Sequence, residues 1–367
     1  MAGTGAMERI KKWLKLIKKA SPYRHFLLQA FDIIQTKIRV NLSPVEYYTY
    51  EFYKGHKTWE EKSRYIGKHN SLYWPYAMNP LKFNVTLTNK YVQKNLLMGF
   101  GLPTPRLITT IGHQYEVRTL DELRGFLSGC DRDIVIKPIS SMGGRNVLVL
   151  TRKDQGFFML DEFYTPEGIW DHVGPHMAVG FLVEEKATNA THISDLHPHS
   201  LNCFRVNTVK LNGRWKAFSP INLKVGQGQS VVDNIRSGGI LILLDEEGRS
   251  FLAAADDNET LLTHHPDTGA PLVDVRFEGF EVVRDLALRA SRKFGFMGTI
   301  GWDIGLTPSG PVVIEGNNQW GTDEQQLIGG LITDEMAQIL EKHTLFTRWD
   351  RKYAFPRFNT RMKAFKK

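Results

Sequence analysis

The chain has 367 residues, 42% of them hydrophobic and 23% charged, an ordinary globular composition with room for two or three packed units. Its formal charge of +8 sits at the ends. Residues 1–20 hold Arg9 and five lysines against Glu8, residues 348–367 hold eight Lys/Arg against Asp350, and the body between is net acidic. That distribution argues against a nucleic-acid channel, two distant cysteines (Cys130, Cys203) against a disulfide framework or zinc ribbon, and short apolar runs against a membrane span. With no signal peptide in view, the expected location is the cytoplasm.

Residues 1–6 read as a short flexible leader. Residues 7–20, MERIKKWLKLIKKA, place Ile10, Trp13, Leu14 and Ile17 at helical spacing with lysines on the other face. Such a basic amphipathic helix either packs on its own protein with solvated lysines or makes peripheral contact with an anionic inner membrane surface. Helices are expected over 44–52, 59–66 and 88–98, giving a helical N-terminal region over 1–100. GLPTP at 101–105 ends the last helix and opens a strand at 106–110, and 120–127 is helical.

Residues 133–151, DIVIKPISSMGGRNVLVLT, form a strand, a small-residue loop and a second strand. In a Walker loop or a Rossmann turn the glycines open a helix. Here they precede the run NVLVL, so the expectation is a hairpin flap whose backbone N–H groups can close over phosphates. A strand over 178–186 follows, then one over 201–211. Asn212-Gly213 signals a type I′ hairpin. A further hairpin is expected around Glu247-Gly248, with helices over 280–294 and 327–343. His197 and His199 lack a third ligand and read as loop histidines rather than a zinc site. Hairpins alternating with a few helices indicate α+β.

Residues 299–322, TIGWDIGLTPSGPVVIEGNNQWGT, carry the chemistry. A three-residue turn at Pro308-Ser309-Gly310, with Thr307 facing Pro311, sets Asp303 opposite Glu315, with Asn317 on the same face. Acids inside so apolar a hairpin are costly unless paired or metal-bound. Two carboxylates and an amide suit Mg²⁺, a hard cation that borrows further ligands from water and phosphates. Lys90 and Lys137 would neutralise those phosphates.

At LTNKYVQKNLLMGFGLPTP, DIVIKPISSMGGRNVLVL, FLVEEK, HPHSLNCFRVNTV, NIRSGGILILLDEEG, HHPDTG and GWDIGLTPSGPVVIEGNN the chain resembles the ATP-grasp superfamily, in particular its sugar-transfer-associated branch. The resemblance implies two α+β lobes clamping ATP: a small lobe over 101–187, a large lobe over 188–346, and a basic tail over 347–367. It implies that Lys90 and Lys137 contact ATP phosphates and that Ser140, Ser141, Gly143 and Gly144 form the closing loop. Glu184, Glu185, Lys186 and Ala187 would be the adenine-reading hinge. Arg205 would touch the transferred phosphoryl group, and Asn234 with Gly238 and Gly239 would line the transfer site. Asp303, Glu315 and Asn317 would hold one or two Mg²⁺, or Mn²⁺ in its place. The acid expected after the hinge for the ribose is missing: Thr191 and His192 stand there, with Asp195 nearby. The activity implied is an ATP-dependent carboxylate–amine ligase working through an acyl phosphate on small-molecule carboxylate and amine substrates. Its product would tailor a polysaccharide or peptide. A small-molecule kinase on the same scaffold is the alternative.

Overall fold

The computed structural model describes residues 4–67, 75, 78–141, 143–255, 260–323 and 325–337. The basic tail expected over 347–367 lies outside them. The chain divides into two compact units, residues 1–78 with 319–367, and residues 79–318. Residues 79–100, grouped by sequence with the N-terminal region, belong to the second unit.

The first unit is helical: α1 (Thr4–Ala20), α2 (Phe26–Val40), α3 (Pro44–Thr49) and α4 (Trp59–Ser63). Thr4 already lies in α1, so residues 4–6 of the expected leader are helical. Ser43 and Glu46 form a capping box at α3, with Pro44 at the first helical position. The core is a tyrosine cluster of Tyr47, Tyr48, Tyr50, Tyr53 and Tyr65 with Phe52, against which Trp13, Leu16 and Ile17 of α1 pack. Gln326 pairs through its amide with both backbone groups of Ile66 and with the Tyr50 hydroxyl. The helix expected over 327–343 is not continuous: residues 328–333 are irregular, 334–337 are helical, and the remainder lies outside the described residues.

The second unit opens with α5 (Val85–Thr88) and α6 (Lys90–Gly99), then builds two antiparallel sheets. The first holds β1 (Leu107–Ile111), β2 (Ile134–Pro138), β3 (Leu148–Lys153), β4 (Gly156–Met159), β5 (Glu162–Tyr164) and β6 (Phe181–Glu185), in the order β1-β6-β2-β3-β4-β5. Residues 178–180 precede β6 as a turn. The helices α7 (Leu120–Gly129) and α8 (Pro166–Val173) cover one face, packing Leu123, Leu127, Ile169 and Val173 against Ile134, Ile136, Phe181 and Val183.

After the short α9 (Thr191–Ser194) comes the second sheet. It contains β7 (Cys203–Leu211), β8 (Arg214–Ala217), β9 (Ile221–Val225), β10 (Ile240–Leu244), β11 (Ser250–Ala255), β12 (Thr260–Leu261), β13 (Thr299–Thr307) and β14 (Gly310–Asn317). Its order is β12-β11-β10-β9-β7-β13-β14, with β8 on β7. Asn212 and Gly213 both take positive φ, as a type I′ turn requires. The helix α10 (Phe280–Lys293) packs under this sheet, burying Val283, Leu286, Ala287 and Ala290 against Phe204, Val206, Ile300, Trp302 and Ile304. The valine, leucine, isoleucine and phenylalanine side chains among these each contribute about 1.5–3 kcal/mol of transfer free energy. Strand alternation leaves the opposite face to Asn222, Lys224, Arg205, Asn207 and Asp303.

Candidate active site

The β13–β14 hairpin departs from its expected turn. Thr307 pairs with Gly310 and Leu306 with Pro311, so the loop has two residues. A slip between Asp303 and Ile304 then makes Ile314 a bulge, and Asp303 faces Glu315 as expected. The bulge decides the chemistry. Val313 points into the core, and without the extra residue Glu315 would follow it there. Gly316 lies directly over the indole: a Cβ at this position would sit 2.6 Å from Trp302.

Asp303, Glu315 and Asn317 do converge. The Asn317 amide nitrogen lies 3.3 Å from both Asp303 Oδ2 and Glu315 Oε1. Half a turn of that amide presents its oxygen instead, completing an oxygen-donor set that fits Mg²⁺. Among the described residues no cluster of three His, Cys, Asp or Glu side chains could hold a metal. The set here is two acids and an amide, which suits a cation completed by phosphate oxygens.

Asp303 is also the anion of a larger network. Arg205, its direct cross-strand neighbour, donates Nε and Nη2 to the two carboxylate oxygens at 2.8 Å each. Lys224 Nζ lies 3.0 Å from Asp303 and 3.6 Å from Asp233. Burial alone would raise the Asp303 pKa, but Arg205 and Lys224 outweigh it and hold the carboxyl well below its usual range. The same balance holds Lys224 above the ordinary lysine range: burial opposes its charge, and Asp233 and Asp303 prevail. Asp233 is pushed up by burial despite Lys224, and it accepts the Cys203 backbone N–H at 3.0 Å.

The other sheet contributes a second charged cluster. Glu184, buried on β6, lies between Lys137 at 2.8 Å and Lys94 at 3.0 Å. Burial opposes its ionisation, yet the two lysines lower its pKa. Burial pushes the Lys94 ammonium down to about 8 against the pull of Glu184. Glu184 is thus an internal counterion, while Glu185 pairs with Arg106 and Arg132, and Lys186 with Asp133. Beyond β6 the chain passes through Ala187 to α9, whose last residue precedes Asp195.

Helix α6 joins the clusters. Asn89 caps it by accepting the Val92 N–H at 3.0 Å. Gln93 exchanges two hydrogen bonds with the Gly316 backbone, at 2.7 and 2.9 Å, like one residue of an added strand. That anchors Lys90 3.3 Å from Glu315, with its ammonium donating to the Ser141 carbonyl at 2.8 Å. Lys94, one turn on, reaches Glu184.

The flap takes the expected hairpin form, with β2 and β3 pairing antiparallel on either side of it. Gly143, Gly144 and Asn146 have positive φ. A Cβ at Gly143 would lie 3.4 Å from the Asn234 amide, and one at Gly144 would lie 3.3 Å from Val232. The flap therefore rests beside the segment carrying Asp233 and Asn234. Neighbouring His197 is buried, bonded to Ser200 and the Gly228 carbonyl, and serves the loop's structure.

Sequence reasoning missed Lys94, Gln93, Lys224 and Asp233. The signals were present: NKYVQK sets two lysines one helical turn apart, and INLKV alternates Asn222 and Lys224 with apolar residues.

Two antiparallel sheets whose charged faces are joined by one lysine-bearing helix, with a glycine flap over them, define the ATP-grasp class. The chain matches the sugar-transfer associated ATP-grasp family over residues 70–339, and it belongs to that family. Members of the superfamily use ATP with Mg²⁺. Comparison with curated proteins gave no match. Among solved structures, it resembles an L-amino acid ligase from Bacillus licheniformis at 14% identity and TM-score 0.40, covering 71% of this chain and 48% of that one. It also resembles the D-alanine–D-alanine ligase from Bacillus anthracis at 14% identity and TM-score 0.40, covering 71% and 68%. A biotin carboxylase from Campylobacter jejuni matches at 10% identity and TM-score 0.43, covering 70% and 46%. The chain spans about half the length of several such structures. At these values the family match, not the structural likeness, carries the assignment.

Proposed function

We propose that this protein is an ATP-dependent carboxylate–amine ligase. The observation that carries the reading is Lys90, which joins Glu315 of the Asp303–Glu315–Asn317 oxygen set to the Ser141 carbonyl of the glycine flap, while Lys137 stands with Glu184 and Lys94 on the other sheet. Phosphoryl transfer is mostly positioning and charge stabilisation, and these are the groups it needs. A substrate carboxylate is already ionised at neutral pH and needs no general base. What it needs is relief from repulsion by the γ-phosphate.

Lys90 and Lys137 supply cations on the phosphate side, and the flap would donate its N–H groups to phosphate oxygens while its closure excludes water. Mg²⁺, held by Asp303, Glu315 and the Asn317 oxygen, would offset the phosphate charge. A carboxylate oxygen attacks the γ-phosphorus and ADP leaves. The amine nitrogen then attacks the acyl carbon, phosphate departs with the electron pair, and the amine gives up a proton. Arg205, paired with Asp303, would meet the transferred group, and Asn234, beside the flap, would line the transfer site.

The test is ADP release in the presence of a carboxylate, with a panel of amino acids and amino sugars as acceptors. Release of free phosphate that requires the amine, lost by at least about a hundredfold in Glu315→Gln and Lys137→Met, supports the ligase. A phosphorylated product with no amine requirement replaces it with the kinase reading. Undiminished ATP turnover in both variants overturns the site itself.

A further inference from the structure

Helix α2 is built inside out. Its inward face carries Gln29, Thr36 and Val40, and Gln29 accepts the Tyr48 hydroxyl at 2.9 Å and donates to the Arg24 carbonyl at 2.6 Å. Its outward face carries Leu27, Phe31, Ile34 and Ile38, at i, i+4, i+7 and i+11, with Phe26 and Leu28 at its start. All six side chains are more than half exposed. An amphipathic helix buries its apolar stripe, so this one is turned toward something outside the unit. Leu14 of α1 is equally exposed, while Trp13, Leu16 and Ile17 of that helix pack inward.

Charge identifies the occupant. Residues 4–40 hold nine Lys/Arg against Glu8 and Asp32. Asp32 is turned inward, bonded to Arg24 and Tyr47. Lys11, Lys15, Lys18, Lys19, Lys37 and Arg39 are exposed. A second copy of this surface would set cation against cation, and so would the strongly basic residues 348–367. An anionic bilayer supplies an apolar interior beneath a negative surface, matching both features together.

We propose that the α2 face, together with the exposed lysines of α1, seats the protein on an anionic lipid surface. The apolar stripe enters the headgroup–acyl boundary and the lysines meet lipid phosphates. This rests on the first unit alone and is independent of the ligase reading.

The experiment is co-sedimentation of the full chain with vesicles of phosphatidylcholine alone, and with vesicles in which about one lipid in three is phosphatidylglycerol. The expected result is salt-sensitive binding to the second and little to the first. Phe31→Glu with Ile38→Glu, at exposed positions and checked for unchanged thermal unfolding, should weaken it at least about tenfold. Three outcomes overturn the proposal: no binding to anionic vesicles, binding indifferent to the two glutamates, or a dimer in solution that the same substitutions dissolve.

Discussion

At the level of single residues, Asp303 answers to two demands. It belongs to the oxygen-donor set and it also neutralises Arg205 and Lys224. Removing one partner of a buried ion pair leaves an uncompensated charge and costs about 3–5 kcal/mol. Asp303→Ala should therefore lower the urea midpoint as well as activity, whereas Glu315→Gln should lose turnover with folding nearly intact. Equal midpoints for both variants would contradict this division. Lys94 gives a pH signature. Its ammonium titrates at about 8 in the folded protein, against 10.5 as its ordinary value. Between those values the unfolded chain holds the more protons, so this residue's contribution to stability rises with pH there. Urea midpoints of wild type and Lys94→Met, compared at about pH 7.5 and about pH 9.5, should shift in favour of the wild type at the higher pH. Parallel midpoints would remove Lys94 from this role.

At the level of elements, α6 ties the two charged clusters together. Gln93→Leu deletes both bonds to Gly316 and leaves that backbone unpaired. The expected outcome is a raised KM for ATP through misplaced Lys90, with kcat less affected; an unchanged KM would mean Lys90 is positioned otherwise. Legibility followed local rules at this scale. The Asp303–Glu315 pairing was expected from a three-residue turn and holds because a bulge offsets the shorter loop; the Asn212-Gly213 turn, the flap hairpin and α10 came from short-range pattern and turn chemistry. The bulge at Ile314 did not, because it depends on how β14 meets β13, and Pro308-Ser309 suits either loop length. The ion pairs of Lys94, Lys224 and Asp233 join residues far apart in sequence, so spacing alone could not reveal them. Helix α2 hid for another reason: its apolar stripe is regular, but an outward-facing stripe has no partner in the sequence to point to.

At the level of the whole molecule, nucleotide and metal should act on stability together. A ligand bound only to the folded state adds about 2.7 kcal/mol at a hundred times its Kd. ADP with Mg²⁺ should raise the thermal midpoint of the wild type, and a chelator should cancel most of that rise. In Glu315→Gln the metal-dependent increment should vanish while the nucleotide-only increment stays. An increment insensitive to chelation would place the cation elsewhere.

The contact between Gly316 and Trp302 has its own consequence. The indole fills the room that any side chain at 316 would occupy, so a residue of the oily interior dictates which letter can separate the acid from the amide above it. Redesign of the hairpin should begin from below: a smaller side chain at 302, with a slight shift of Ile300, would open 316 to other amino acids. A saturation library at both positions should return tolerated pairs rather than tolerated singles.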